Sequence, residues 1–204
     1  MVKAFIDRAS EVFIEHLSLI PLEGIVTFHI EKYERSRHTG DAKILIEEAE
    51  YAAASVIATS IYDALDAFGI SFKRSRIDHQ FPDIIYRAEL IPYEKKITIF
   101  GPSLEELCTL IEKMPFLHSI QGREEEMVLS HELCHYLESL ERRWSGEPAL
   151  FREIRAHLFT MKYLSVSFYP WICDVLHMLY RNPKLINRFQ AGEFDTRAKK
   201  KKGE

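Results

Sequence analysis

The sequence predicts an α+β fold that is mainly helical, with a small sheet that contains antiparallel strands and packs beside one of the helices. Apolar residues recur at steps of three and four over much of the chain, which is the spacing of amphipathic helices. Two short runs, 84–91 and 96–100, are instead rich in strand-forming residues. Turn residues 92–95 join these runs, which predicts a hairpin. A hydrophobic content of 47% is enough for a buried core.

Length and charge bound the organisation of the chain. Its 204 residues fit one domain, or one domain with a helical extension. We expect an N-terminal helix-and-strand extension at 1–40, a main domain at 41–190, and a basic, disordered tail at 191–204. The net charge of −4 argues against direct binding of nucleic acid or of an anionic membrane.

The cysteine content and the hydropathy pattern predict a cytoplasmic protein. Its three cysteines are an odd number with no close pair, which is typical of reduced thiols inside the cell. No apolar run approaches the roughly 18 residues that a membrane-spanning helix needs. The N-terminus also lacks the pattern of a signal peptide.

The N-terminal half is expected to hold two helices separated by a strand. An apolar face over 2–20, stopped by Pro21, predicts the first helix. The stretch 24–30 alternates enough to predict a strand. Asp41 and Gly69 would bound a long helix of about 28 residues, in which we expect a kink or a break because helices are usually shorter. Its centre is rich in small residues, so it should pack behind the helix described next.

One helix carries a metal-binding pattern. Three acids open the segment 124–144, and apolar residues follow at helical spacing. Within it stands a His-Glu-x-x-His motif formed by His131, Glu132 and His135. Since His131 and His135 are four residues apart, both imidazoles project from one side of the helix and can reach one metal. Glu132 is rotated away from them but can touch a metal-bound water as a general base.

Glu153 is the candidate third ligand, because a catalytic zinc needs three protein ligands and an open position. It follows the turn-like segment 144–148 and begins a second helical pattern. A returning helix can therefore bring Glu153 over the two histidines, and small Ala156 would let the helices pack closely. The plain alternatives are a surface helix with two unrelated histidines and a solvated acid near a helix start.

The motif, followed by Glu-x-x-Ala-x-x-Phe at Glu153, Ala156 and Phe159, resembles the ImmA/IrrE-type metallopeptidases. These enzymes are minimal relatives of the thermolysin-like, glutamate-ligated zinc proteases, and the resemblance covers residues 41–165. It implies a zincin-like fold with one zinc per chain, held by both motif histidines and Glu153, with the motif glutamate as base. In that family the site cleaves a protein, commonly a helix-turn-helix repressor.

Two positions depart from the pattern of that family. Cys134 stands where Gly is frequent, and His157 stands where an Asp or Asn usually orients a ligand histidine. His157 could be a fourth ligand, an oxyanion donor, or a hydrogen-bonded histidine between helices. Tyr163 and His177 are the remaining candidates to stabilise the oxyanion, although such residues in apolar helices usually serve packing.

The sequence therefore predicts a zinc-dependent endopeptidase of regulatory type that acts on a protein or peptide. Residues 95–100 are the candidate edge to which the substrate would add as a strand, since strand addition tolerates varied sequences. Two other hypotheses stay open. One is a catalytically inactive metal-binding regulator that has kept the fold, and the other is a helical interaction module without metal.

Overall fold

The computed structural model describes residues 8–33, 41–77, 85–141, 144 and 146–187. These residues form eight α-helices, which are α1 Arg8–Leu19, α2 Leu22–Tyr33, α3 Asp41–Ser55, α4 Ile61–Phe68, α5 Gly101–Ile111, α6 Glu124–Leu140, α7 Ala149–Tyr163 and α8 Trp171–Arg181. The three strands are β1 Ser71–Ser75, β2 Ala88–Ile91 and β3 Lys96–Phe100. The prediction of an α+β fold, mainly helical with a small sheet, is confirmed.

The sheet has the strand order β1-β3-β2. β1 runs parallel to β3, and β2 runs antiparallel to it, which confirms the hairpin. Because β3 is paired on both sides, the prediction that residues 95–100 form an open edge is wrong. The side chains of Ile97 and Ile99 in this central strand are fully buried. The edge strand that contacts α6 is instead β2.

The segment 24–30, predicted as a strand, is helical and lies in α2. Its buried residues fall on one helical face, namely Ile25, Val26, His29 and Ile30. The hydroxyl of Thr27 donates to the carbonyl of Glu23 at 2.8 Å, so this β-branched residue is accommodated in a helix. The carbonyl of Pro21 accepts the first helical hydrogen bond, from the amide of Ile25. Burial, rather than strand propensity, decides this segment.

The long helix predicted from Asp41 is broken into α3 and α4. Ser60 caps α4, since its hydroxyl accepts a hydrogen bond from the amide of Asp63 at 3.1 Å. Gly69 ends α4 with a φ of 68°, as predicted. α3 packs mainly against α7, whereas α4 packs against α6. The expected support behind α6 therefore comes from α4.

Two buried apolar clusters meet at α6 and α7. One draws mainly on α1, α2, α3, α5, α7 and α8, and the other on α4, the sheet, α6 and α7. Ala156 of α7 is fully buried, and α7 packs closely against α6, as the small size of this residue led us to predict. Helices α1 and α2 share the first cluster with α8. The domain division at residue 40 stays a prediction, and the tail 191–204 lies outside the described residues.

A fully buried arginine joins three parts of the fold. Arg155 of α7 donates to carboxylates at 2.6 Å, 2.8 Å and 2.5 Å, which belong to Glu138, Glu48 and Glu147 respectively. The ring of Trp144 covers its guanidinium, with the central carbon 4.7 Å from the ring centroid. Because a buried charge is stable only when it is paired, these contacts hold α7 against α3, α6 and the α6–α7 connection.

Replacing Arg155 by Met should lower the free energy of unfolding by about 3–5 kcal/mol, because three carboxylates lose their shared cation. Urea unfolding of the metal-free chain at pH 7 measures the change. Arg152→Met is the matched control, since this side chain is 45% exposed and should cost less than about 1 kcal/mol. Equal losses in the two variants would contradict the role of Arg155.

Candidate metal centre

A cleft of about 320 Å³ opens between α6, α7, α8 and β2. One side is formed by His131, Glu132 and His135 of α6, and Glu153 of α7 lies beside them. Residues 85–90, which include most of β2, form the facing wall. The structure thus brings together all four residues that the motif and its third ligand predicted.

The ligand candidates point at a common centre. The Nε2 atoms of His131 and His135 are 3.2 Å apart. The carboxylate oxygens of Glu153 lie 3.3 Å from the first of these nitrogens and 3.4 Å from the second. A tetrahedral zinc with bonds of about 2.0–2.1 Å separates its ligand atoms by about 3.3–3.4 Å. The donor set therefore fits a small tetrahedral cation. Among the described residues, these three side chains form the group of histidine, cysteine and acidic residues that is compact enough to hold a metal.

The ionisation of this cluster favours a cation. Burial alone would lower the pKa of His135, but hydrogen bonds to Glu138 and Glu153 raise it to about 10. Burial also opposes the charge of Glu153, yet hydrogen bonds from His131 and His135 hold the pKa of that carboxyl well below its usual range. The metal-free cluster consequently binds a proton at neutral pH, and a metal has to displace this proton.

Glu132 lines the same cleft, and no hydrogen bond to a described residue occupies its carboxylate. Burial raises the pKa of Glu132, although His135 and His131 oppose the shift. A carboxylate with a raised pKa and no internal partner can accept a proton from water and then release it. These properties match the general base that the sequence predicted.

Glu138 orients His135, one of the two candidate ligand histidines, and was missed by the sequence analysis. Its Oε2 accepts a hydrogen bond from Nδ1 of His135 at 2.9 Å, and its Oε1 accepts one from Arg155. A carboxylate in this position fixes the tautomer and the ring orientation of a metal ligand. The available signal was the spacing, because Glu138 follows His135 by three residues on one helix.

His157 lies beside the ligand cluster and is held by an acid from α8. Its ring centroid is 4.7 Å from that of His131, at a steep angle of 61°. Its Nε2 is 3.1 Å from a carboxylate oxygen of Asp174, which also pairs with Arg87. Burial disfavours the charge of Asp174, but Arg87 and His157 hold the pKa of this carboxyl well below its usual range. The hydrogen-bonded position of His157 is established, while its roles as ligand or oxyanion donor stay predictions.

Tyr163 and His177 are not among the residues that line the cleft. Tyr163 stacks on Phe159, and its buried hydroxyl has no hydrogen-bond partner among the described residues. His177 is fully buried, with Nε2 2.8 Å from a carboxylate oxygen of Glu106. Burial and the neighbouring Arg87 lower its pKa to about 4. The positions of both residues give no support to the predicted oxyanion role.

His29 of α2 lies behind the site, in the segment 24–30 that was predicted as a strand. Its ring stacks on Trp171 with centroids 4.1 Å apart, and its Nδ1 is 2.9 Å from the hydroxyl of Tyr169. The ring of His157 is 6.2 Å away. Burial and the nearby His157 lower the pKa of His29 well below its ordinary value. An N-terminal helix thus supports the residues around the cleft through a neutral imidazole.

Comparison of the chain with models of protein families, with curated proteins and with solved structures found no match. In the part of the chain that the structure describes, no helix is both long enough and apolar enough to span a bilayer. The functional conclusion accordingly rests on the geometry and chemistry of the cleft.

Replacing Glu138 by Gln should weaken zinc binding about 10- to 100-fold, because His135 loses a charged partner for its Nδ1–H. Competition with a chromogenic chelator measures the affinity. Glu105→Gln, on an exposed position of α5, is the control and should bind zinc as the unmodified chain does. Urea unfolding of both variants separates a loss of affinity from a loss of fold. Unchanged affinity in a folded Glu138→Gln chain would remove this residue from the site.

Proposed function

We propose that this chain is a zinc-dependent endopeptidase of the zincin type that hydrolyses a peptide bond in a protein substrate. One observation carries the proposal: His131, His135 and Glu153 present donor atoms at tetrahedral spacing in the same cleft as the uncommitted carboxylate of Glu132. The resemblance to ImmA/IrrE-type metallopeptidases agrees with this set of residues. It extends the proposal to a regulatory protease of the cytoplasm.

Contacts within the chain prepare two of the three proposed ligands, His135 and Glu153, for a metal. A zinc ion held by His131, His135 and Glu153 would supply Lewis-acid activation of water and of the substrate carbonyl. His135 donates its Nδ1–H to Glu138, so its Nε2 offers a lone pair to a metal once the proton of the cluster has been displaced. The carboxylate of Glu153 stays ionised at neutral pH because its pKa is held well below the usual range, against the effect of burial, by hydrogen bonds from both histidines.

Glu132 performs the proton transfers in this proposal. Its carboxylate takes a proton from the attacking water while the new C–O bond forms at the substrate carbonyl. It then passes this proton to the leaving amine nitrogen as the C–N bond breaks. Burial raises its pKa, which brings the acid form closer to the working pH and favours this second step.

The substrate class follows from the sheet edge at the cleft. Among the described strands, β2 is paired with β3 alone, and its residues line the cleft. An extended peptide can add to such an edge through main-chain hydrogen bonds. The opposite edge, β1, exposes Lys73 and Arg74, which disfavour strand addition. β2 thus replaces residues 95–100 as the candidate strand for substrate binding.

A helix-turn-helix repressor is the substrate that the family resemblance implies. The second candidate function is that of a catalytically inactive metal-binding regulator. It is favoured by His157, which stands where the resemblance leads us to expect an Asp or Asn. Both candidates need the metal, and they differ only in turnover.

Replacing Glu132 by Gln should leave one zinc per chain and should slow peptide hydrolysis by at least about 100-fold, because the amide cannot accept the proton of the attacking water. Zinc content and cleavage of a mixture of quenched fluorescent octapeptides measure the two effects. His131→Ala is the companion variant, and it should lose both the metal and the activity.

Three results would change the assignment. Zinc loss in Glu132→Gln would make this residue part of the metal site rather than the base. Full zinc occupancy in His131→Ala would remove His131 from the ligands. Stoichiometric zinc in the unmodified chain without cleavage of peptides or of a repressor would favour the inactive regulator.

A further inference from the structure

An arginine beside the ligand cluster has two donor groups that the fold does not use. We propose that Arg152 selects peptides that present a carboxylate next to the bond to be cleaved. The carboxylate belongs either to an Asp or Glu side chain or to the free C-terminus of the substrate. This inference rests on the proposed function, because it concerns the peptide bound in the same cleft.

Two arginines line the cleft among the described residues, and one of them is already neutralised. Arg87 pairs with Asp174, and its guanidinium also faces the carbonyl of Cys173 at 3.2 Å. Its side chain is only 12% exposed. Because Arg87 already pairs with Asp174, Arg152 is the arginine of the described lining that remains to pair with a substrate carboxylate.

Arg152 is built differently, with one end anchored and the other end open. Its Nε lies 3.2 Å from Oε2 of Glu138, and the side chain is 45% exposed. Its two Nη groups form no hydrogen bond with the described residues. Two parallel N–H groups of a planar guanidinium match the two oxygens of a carboxylate. The anchor also limits the motion of the guanidinium, which lowers the cost of binding.

The position of Arg152 in α7 determines where the substrate carboxylate would bind. It directly precedes the ligand Glu153 in α7, and its Nε shares one oxygen of Glu138 with the ring of His135. A carboxylate held by Arg152 thus lies next to the reacting centre. On the facing strand β2, exposed Glu89 repels the same group. Among the charged residues of the cleft lining, Arg152 on α7 thus attracts a substrate carboxylate, whereas Glu89 on β2 repels it.

Peptide binding to the zinc-loaded full-length Glu132→Gln chain tests the inference without turnover. One set of fluorescein-labelled octapeptides carries Glu, Gln or Lys at a fixed central position and an amidated C-terminus. A second, uncharged set differs only in having a free or an amidated C-terminus. Fluorescence anisotropy measures Kd, and zinc content is checked for each variant.

We expect the carboxylate-bearing member of at least one set to bind about tenfold more tightly than its neutral partner, with a preference that shrinks as salt is added. Preference in the first set identifies a side-chain carboxylate, and preference in the second identifies the C-terminus. Arg152→Gln should reduce the preference to about twofold or less. Arg152→Lys should keep part of it, because the charge remains without the planar fork.

Arg76→Gln is the matched control, since Arg76 is exposed and lies outside the cleft, and it should keep the full preference. Equal affinities within both sets, a preference that survives in Arg152→Gln, or no peptide binding at all would overturn the inference. An Arg152-dependent preference without cleavage by the unmodified chain would remove the endopeptidase and leave the carboxylate subsite. Cleavage without such a preference would support the endopeptidase and remove the carboxylate subsite.

Discussion

The buried guanidinium of Arg155 is the contact on which the rest of the site depends. Its carboxylate partners come from α3, from α6 and from the α6–α7 connection. The ion pairs of this one guanidinium therefore fix the position of α7 against α6. One partner, Glu138, also orients His135, a candidate metal ligand. Helix packing and ligand orientation are therefore coupled through one carboxylate. Such networks add little net stability over apolar packing, but they are costly to break, because each broken pair leaves a buried charge.

The two sides of the cluster are built in the same way. On one side, His135 is held by Glu138, which is held by Arg155. On the other side, His157 is held by Asp174, which is held by Arg87. In each case the imidazole and an arginine together favour the ionised form of the acid, and the acid fixes that imidazole beside the cleft. Side chains that are locked in this manner need no rearrangement when a cation arrives, which is the physical meaning of a preorganised site.

The parts of the site that were predictable are those encoded locally. His131, Glu132 and His135 share one helix, so helical spacing was enough to place these three. Glu153 lies in the first half of the next helix, and a short connection was enough to predict that this helix returns to the motif. Glu138 was within reach of the same reasoning, whereas Asp174 and the open edge of β2 depend on how α8 and the sheet pack, which spacing along the chain does not encode. The strand prediction for the segment 24–30 was wrong for a related reason. Its β-branched residues favour a strand in isolation, but burial of one helical face decides that it is a helix.

The arrangement of α6 and α7 has a consequence for how the molecule assembles. The three candidate metal ligands lie on two consecutive antiparallel helices, so bringing Glu153 to His135 closes a short loop at a low entropic cost. The walls of the cleft, in contrast, come from distant parts of the chain and depend on long-range contacts, which form more slowly. A cation held by His131, His135 and Glu153 would join only residues of this helical hairpin, so the stabilisation it supplies would not depend on β2 and α8 being in place.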